Sequence, residues 1–180
     1  MAPPRSRSFP ALARRVIDGM VMARQQPDPG PRIRFFLVDD EPVVRRGLGL
    51  LLSSQPGFEV CGEAATEHEA LEGILTRRPD VAVVDLSLKE GDGLALIKQL
   101  HQHCPALKIL VFSMHDQVHY AAGAFGAGAH GYVLKEEGAE RVIEAIQSIL
   151  RGERYLSEQI AAKAPGLAFR TGPYGRTRAS

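Results

Sequence analysis

The sequence predicts an α/β protein in which one parallel sheet is covered by helices on both faces. From Ile33 onward, strand-like apolar segments alternate with helical patterns, and this alternation is typical of βαβ units. The segments 33–38, 81–85 and 108–113 are almost entirely apolar, as expected of central strands that are buried on both faces. A length of 180 residues is enough for one well-buried domain with tails.

Five strands and five helices are predicted in order along this part of the chain. The strands lie near residues 33–38, 58–64, 81–85, 108–113 and 130–134. The helices lie near residues 42–54, 67–77, 92–103, 117–126 and 138–151. Pro42 suits the first turn of the first helix, where a backbone N–H is not needed. The last helix presents its apolar residues on one stripe and is predicted to stop at Gly152.

The net charge of +1 hides an uneven distribution along the chain. Residues 1–34 contain seven Arg and two Asp, a net charge of +5, and residues 163–180 contain four basic residues and no acid, a net charge of +4. Residues 35–162 contain 11 basic and 19 acidic side chains, a net charge of −8. An acidic middle of this kind is not a nucleic-acid-binding core, and basic tails of this composition are typical of solvated, disordered segments.

Composition and cysteine usage exclude several other classes of protein. No apolar run approaches the ~20 residues of a membrane span, so we expect no membrane partner. The N-terminus lacks the apolar core and the cleavage site of a secretory signal. Cys61 and Cys104 have neither zinc nor redox spacing, and we expect them to be reduced thiols in a cytoplasmic protein.

Four of the five strand-like segments end on a polar residue. These residues are Asp39 and Asp40 after the first strand, Asp85 after the third, Ser113 at the end of the fourth and Lys135 after the fifth. Because parallel strands point the same way, the five side chains should share the sheet edge at which ligands of such folds bind. A helix cap or a loop would explain any one of the acids alone. It explains poorly why they coincide with a hydroxyl and an ammonium group.

This set of side chains is suited to phosphoryl transfer. Crowded carboxylates disfavour each other's ionised form unless a cation compensates for their charge. Mg²⁺ suits such a site because it takes oxygen ligands and binds through one or two carboxylates plus a phosphate. Asp85 would then attack a phosphorus atom, Lys135 would neutralise charge on the phosphoryl oxygens, and Ser113 would donate a hydrogen bond to one of them.

Other motifs are interpreted as ordinary structure. The glycine-rich segment 123–128 precedes the fifth strand instead of following the first, so we expect a tight helix end and no dinucleotide loop. His101, His103 and Cys104 are expected to be polar residues at a helix end, since no fourth metal ligand accompanies them. His115 and His119 are expected on the surface of the fourth helix.

The motifs resemble the receiver domain of bacterial two-component response regulators, and most of all the LuxR-type (NarL–FixJ) branch. The resemblance covers residues 33–158 and is carried by LVDDEP, VVDLSLKEGDGL, ILVFSMHD and GAHGYVLKEE. It implies a flavodoxin-like (βα)₅ fold, a doubly wound five-stranded sheet with the strand order 2-1-3-4-5. It also implies a protein that accepts a phosphoryl group and is not a turnover enzyme.

The resemblance also implies roles for individual residues. Asp85 would be the phosphoacceptor. The magnesium ligands would be Asp39, Asp40, Asp85 and the backbone carbonyl of Ser87. Ser113 and Lys135 would contact the phosphoryl group, while Ser113 and Tyr132 would switch position with it. Phosphorylation would then change the face formed by the fourth helix, the fifth strand and the fifth helix.

The sequence departs from the family pattern in two places. Lys89 stands in the loop after the acceptor where many receivers have proline. The helix-turn-helix domain of LuxR-type regulators is not found, because three helices of about 11 residues each do not fit into the 17 residues from Ala164. We therefore expect a disordered basic extension over 1–31, a receiver domain over 32–158, and a disordered basic tail without a helix-turn-helix over 159–180.

Three classes of function remain open at this point. The first is a stand-alone receiver that takes its phosphoryl group from a sensor histidine kinase or a phosphotransfer protein. The second is the receiver part of a truncated DNA-binding regulator, although sequence-specific DNA binding is not expected of this chain itself. The third is a phosphatase resembling haloacid dehalogenases, which is disfavoured because Asp39 and Asp40 are adjacent and do not form an Asp-x-Asp motif. The kinase, the output and the choice between monomer and homodimer stay open.

Overall fold

The computed structural model describes residues 30–164, which contain a six-stranded parallel sheet flanked by helices. The strands are β1 (Ile33–Val38), β2 (Phe58–Ala64), β3 (Val81–Val84), β4 (Lys108–Ser113), β5 (Gly131–Leu134) and β6 (Tyr155–Leu156). The helices are α1 (Pro42–Ser53), α2 (Glu67–Arg77), α3 (Gly93–His103), α4 (Val118–Ala127), α5 (Ala139–Leu150) and α6 (Glu158–Lys163), with a 3-10 turn over Lys135–Glu137.

The predicted fold class is confirmed. The sheet has the strand order β2-β1-β3-β4-β5-β6, and each neighbouring pair of strands is parallel. The first five strands therefore have the expected order 2-1-3-4-5. Each predicted strand and helix is present, with ends that differ from the prediction by one residue at most.

The chain beyond Gly152 differs from the prediction. We expected five strands and a disordered tail from residue 159, but β6 pairs with β5 through Gly131–Tyr155 and Tyr132–Leu156. The helix α6 follows at once, and the side chain of Ile160 is fully buried. The expectation of disorder is therefore wrong for residues 159–163, because burial of Ile160 stabilises this segment. The expected disorder of 1–29 and 165–180 lies outside the described residues.

Two apolar cores, one on each face of the sheet, explain the apolar sequences of the central strands. Successive side chains of a strand point to opposite faces. In β1, Phe35 and Leu37 therefore pack into the core beneath α1 and α5, while Phe36 and Val38 pack into the core beneath α2, α3 and α4. All four side chains are buried, and a polar residue at any of these positions would lie inside a core.

Local signals set the ends of the helices. Pro42 occupies the first turn of α1, as predicted. Asp92 caps α3, since its Oδ1 accepts hydrogen bonds from the N–H groups of Leu94 at 2.8 Å and Ala95 at 3.4 Å. Gly128 ends α4 with φ +116°, a left-handed conformation that favours glycine, and confirms the glycine-rich segment as a helix end. Among residues 30–164, no helix has the length and apolar content needed to cross a membrane.

Candidate functional site

The carboxyl ends of β1, β3 and β5 bring three predicted site residues into direct contact. Strand pairing places the ends of β1 and β3 side by side, since Val38 lies opposite Val84. The next residues, Asp39 and Asp85, each place Oδ2 at 2.8 Å from Nζ of Lys135. The juxtaposition predicted from parallel topology is therefore present.

Lys135 lies between two buried carboxylates. Only 3% of each Asp side chain and 7% of the Lys side chain are exposed. Burial opposes the charge of Lys135, but the hydrogen bonds to Asp39 and Asp85 outweigh it and raise the pKa of the ammonium group above its usual value. Burial also raises the pKa of Asp39, although the hydrogen bond from Lys135 acts in the other direction. One ammonium group therefore does not fully compensate the buried acids.

The acidic cluster consists of Asp39, Asp40, Glu41 and Asp85. One carboxylate oxygen from each of these four residues lies within 4.8 Å of the others. An all-oxygen donor set with excess negative charge fits a hard divalent cation such as Mg²⁺. Glu41 was not among the predicted ligands, yet its Oε1 lies 3.2 Å from Nζ of Lys135. Its place directly after Asp40 was the signal available in the sequence.

Two basic side chains contact the loop that carries the acid pair. Lys89 Nζ lies 3.6 Å from Oδ2 of Asp40, and 80% of the Lys89 side chain is exposed. Arg45, in α1, donates a hydrogen bond from Nη1 to the backbone carbonyl of Asp39 at 2.6 Å. Arg45 thus fixes the backbone at the end of β1, while Lys89 supplies positive charge beside Asp40.

The loop after Asp85 is held from both ends. The Ser87 N–H donates to Oδ1 of Asp85 at 3.3 Å, which leaves Oδ2 to Lys135. Farther along, Glu67 at the start of α2 accepts hydrogen bonds from the Asp92 N–H at 2.9 Å and from Nε2 of Gln99 at 2.8 Å. The role of Glu67 was not predicted from the sequence because its partners lie 25 and 32 residues away. The carbonyl of Ser87 stays a predicted metal ligand.

Gly93 allows α3 to start directly beside the loop after Asp85. A Cβ atom at this position would lie 2.5 Å from the carbonyl oxygen of Asp85 and 2.5 Å from Cα of Leu86. Both are backbone atoms, so no side-chain movement could relieve the overlap. Gly93 lies in the motif VVDLSLKEGDGL, but no role was predicted for it from the sequence.

Ser113 and Tyr132, for which a switching role is predicted, lie on the neighbouring strands β4 and β5. Ser113 is fully buried and its Oγ accepts a hydrogen bond from the His115 N–H at 3.4 Å. Tyr132 is also fully buried, and its hydroxyl donates to the backbone carbonyl of His115 at 2.9 Å. Burial raises the pKa of the Tyr132 phenol, which therefore stays a neutral donor. The loop between β4 and α4 is thus tied to both residues.

His115 has more contacts than the surface position predicted for it. Its Nε2 lies 2.8 Å from Oγ of Ser87, and its ring stacks on that of Tyr120 with the centroids 3.9 Å apart. It connects the loop after Asp85 to the loop before α4. His101, His103 and Cys104 lie at the end of α3, and within residues 30–164 the acidic cluster is the one group of three or more candidate metal ligands.

Comparisons with known proteins agree with this geometry. The sequence model of the family described as "Response regulator receiver domain" matches residues 35–147. The chain is 37% identical over 130 residues to the DNA-binding transcriptional activator DevR/DosR of Mycobacterium tuberculosis, which covers 72% of this chain and 60% of the relative. It is 34% identical over 129 residues to the oxygen regulatory protein NreC of Staphylococcus epidermidis, which covers 71% of this chain and 59% of the relative.

A solved structure shows the same fold. It is a two-component response regulator of the LuxR family from Aurantimonas, 38% identical, with a TM-score of 0.71. The match covers 74% of this chain and 96% of that structure. The chain spans about 60% of the length of the two curated relatives that it matches.

Proposed function

Because this chain belongs to the response regulator receiver domain family, we propose that Asp85 accepts a phosphoryl group from a histidine kinase or a phosphotransfer protein. The observation that carries this proposal is the contact of Lys135 with both Asp39 and Asp85 inside an acidic cluster. A buried carboxylate beside an ammonium group and three further acids can accept a phosphoryl group once a cation binds at the site.

The transfer uses one oxygen of the Asp85 carboxylate as the nucleophile. As its bond to phosphorus forms, the bond between phosphorus and the donor atom breaks, and the donor atom keeps the electron pair. Lys135 then moves from pairing with two carboxylates to pairing with a phosphoryl oxygen. Mg²⁺ held by Asp39, Asp40 and Asp85 would neutralise the remaining charge on the phosphoryl oxygens.

The new phosphoryl group would signal through Ser113 and Tyr132. Ser113 donates its hydroxyl to a phosphoryl oxygen, and this movement draws the backbone of residues 114–116 with it. His115 holds the Tyr132 hydroxyl through its carbonyl, so the tyrosine changes position as the loop moves. The structural change therefore falls on the face of α4, β5 and α5, which borders this loop.

Labelling by a small phosphodonor tests the acceptor. We expect acetyl phosphate and Mg²⁺ to add the mass of one phosphoryl group through a base-labile bond. Asp85→Asn should abolish the adduct. Glu72→Gln, which neutralises an exposed acid on α2, should label like the unchanged protein. Full labelling of the Asp85→Asn variant would show that the acceptor is elsewhere.

A titration tests the metal site separately. We expect Asp40→Ala to abolish Mg²⁺ binding, because Asp40 is a predicted metal ligand. Asp40 pairs with Lys89, so the substitution leaves the contacts of Lys135 with Asp39 and Asp85 in place. Lys89→Ala serves as the control, since it removes the competing positive charge and should leave or improve the affinity. Unchanged affinity in the Asp40→Ala variant would place the cation at another site.

We further propose that the part of the chain with this fold does not read DNA sequence by itself. DevR/DosR is named a DNA-binding activator, but this chain matches 60% of it, and residues 35–162 carry a net charge of −8 that repels phosphate. A gel-shift assay of promoter and random DNA of equal length at moderate salt decides the point. Reproducible preference for the promoter would overturn the proposal.

A further inference from the structure

Residues 155–163, here called the C-terminal strap, lie across the face that the proposed function assigns to signalling. The strap starts with β6, which extends the sheet beside β5, and the Ser157 N–H continues the pairing by donating to the Tyr132 carbonyl at 2.9 Å. Its helix α6 then buries Ile160 in the same apolar core as Phe125 of α4 and Tyr132 of β5. The strap therefore occupies the space beside α4 and β5 in which a signalling partner would bind.

The first half of the strap is fixed to the end of β5. Glu137 accepts hydrogen bonds at Oε1 from Oγ of Ser157 at 2.6 Å and from the Gln159 N–H at 3.3 Å. Nη2 of Arg141, in α5, lies 3.4 Å from Oε1 of Glu158. Ser157 is fully buried, so its bond to Glu137 is shielded from water and is a strong anchor.

The second half of the strap is fixed to the loop before α4 by Lys163. Its Nζ contacts Oδ2 of Asp116 at 2.5 Å and the backbone carbonyl of Asp116 at 3.3 Å. The hydrogen bond from Lys163 also lowers the pKa of the Asp116 carboxyl, which keeps this partner charged. Both side chains are nearly half exposed. An exposed ion pair of this kind is weak and reversible.

Four consecutive residues therefore connect the phosphoryl site to the strap. Ser113 ends β4 and accepts a hydrogen bond from the His115 N–H, His115 is held by Tyr132 and Ser87, and Asp116 is held by Lys163. If Ser113 moves toward a phosphoryl group, the backbone that follows it must move as well. Since Lys163 binds both the side chain and the carbonyl of Asp116, this movement changes both of its contacts.

We propose that the C-terminal strap is an internal competitor for the signalling face, held closed by Lys163 on Asp116 and loosened when Asp85 is phosphorylated. The inference rests on the proposed function and adds its regulation. The occupant of the face is this chain's own segment: apolar at Leu156 and Ile160 and cationic at Lys163. A partner that displaces it must offer the same chemistry, an apolar surface with a cation placed to meet Asp116.

The strap is attached more strongly at its N-terminal end than at its C-terminal end, and this difference allows the C-terminal end to be released first. The strap up to Gln159 has backbone pairing with β5, a buried Ser157 and two polar contacts of Glu158 and Gln159, whereas residues 160–163 are held by the buried Ile160, the partly buried Ala161 and an exposed ion pair. The α6 end should open first, with β6 still in place. The attachment of these residues must be weak, because phosphorylation can shift the equilibrium between the closed and the open strap only by the free-energy difference that it creates between these two states.

Hydrogen exchange followed by mass spectrometry tests the coupling. We expect peptides covering 157–163 to exchange slowly in the unmodified protein and faster when beryllofluoride and Mg²⁺ are added. Lys163→Ala should speed this exchange without any phosphoryl mimic, on the order of two- to fivefold for the loss of an exposed ion pair. Lys163→Arg keeps the charge and should behave as the unchanged protein does.

Coupling between sites is reciprocal, which gives a second measurement. If phosphorylation opens the strap, then an open strap favours phosphorylation. At limiting acetyl phosphate, the Lys163→Ala variant should therefore be labelled at a higher rate or to a greater extent than the unchanged protein. The inference is overturned if beryllofluoride alters exchange in the loop 113–116 but leaves 157–163 unchanged, or if Lys163→Ala changes neither measurement. Failure of the proposed function is distinct, because Asp85 would then take no label in the unchanged protein.

Discussion

Replacing Lys135 by Met is the sharpest test of the electrostatic account of the site. The substitution removes the ammonium group and keeps a long apolar side chain in its place. Asp39 and Asp85, each 3% exposed, then lose the cation that lies 2.8 Å from both. The protein should become less stable at neutral pH when no divalent metal is present, because two adjacent buried carboxylates are left without a counter-charge.

The size of the loss follows from two limits. A unit charge pair at this distance attracts by about 6 kcal/mol at an effective dielectric constant near 20, before desolvation offsets part of it. Removing one member of a buried pair costs about 3–5 kcal/mol. The variant can also protonate one carboxyl instead, and from the ordinary pKa of 3.8 this costs about 4 kcal/mol at pH 7. We therefore expect a loss of about 3–4 kcal/mol.

The pH dependence has a defined sign. In the variant the folded-state pKa of one carboxyl rises above its unfolded value, so the folded form binds more protons and is favoured as the pH falls. At pH 5 protonation from a pKa of 3.8 costs only about 1.6 kcal/mol, and the loss should shrink to that size. Mg²⁺ should restore part of the stability at pH 7, since it supplies the missing positive charge.

Urea unfolding in EDTA at pH 7 and pH 5 measures the free energy of unfolding directly. Lys98→Met, an exposed position on α3, is the matched control and should change the free energy by less than about 0.5 kcal/mol. A loss below about 1 kcal/mol at pH 7 for the Lys135→Met variant, or an equal loss at both pH values, would refute the reasoning.

Three further outcomes are expected. Gly93→Ala should destabilise the protein by about 1–3 kcal/mol in urea and slow labelling of Asp85, because the new Cβ overlaps backbone at 2.5 Å, whereas Gly47→Ala in α1 meets nothing within 4 Å and should be neutral or stabilising. Burial lowers the pKa of His130 to about 4, so the folded protein binds a proton there less readily than the unfolded chain does below pH 6.5. The free energy of unfolding should therefore fall by about 1 kcal/mol from pH 7 to pH 5. His130→Asn should remove this fall when both proteins are unfolded in urea. Ser113→Ala should still label at Asp85 but show smaller amide chemical-shift changes on α4 and β5 with beryllofluoride than the unchanged protein does.

Most of the fold could be predicted because its strands and helices have strong, distinct periodicities. The central strands are almost entirely apolar, and the helices carry capping residues such as Asp92 and end signals such as Gly128. The strand β6 could not be predicted, since two residues carry no period. Its conformation comes from pairing with β5, and that pairing depends on where α5 returns the chain.

The predictability of the site divides in the same way. Parallel topology alone placed Asp39, Asp85 and Lys135 at one edge, and the structure brings them into contact. The supporting residues were missed because their contacts span long stretches of sequence. Glu67 binds Gln99, 32 residues away, and Lys163 binds Asp116, 47 residues away, without any motif that marks either pair.

The four acids of the cluster are not equivalent, and their differences indicate how a cation would enter. Asp39 and Asp85 are buried against Lys135, so a metal ion must share these carboxylates with the ammonium group. Asp40 instead faces Lys89 at 3.6 Å, in a pair whose lysine is 80% exposed. Such a pair contributes about 1 kcal/mol at most, so an arriving cation displaces Lys89 at little cost. We therefore expect Lys89 to leave Asp40 when a cation binds, and for this reason we expect substitution of Asp40 to report on the predicted metal site without disturbing Lys135.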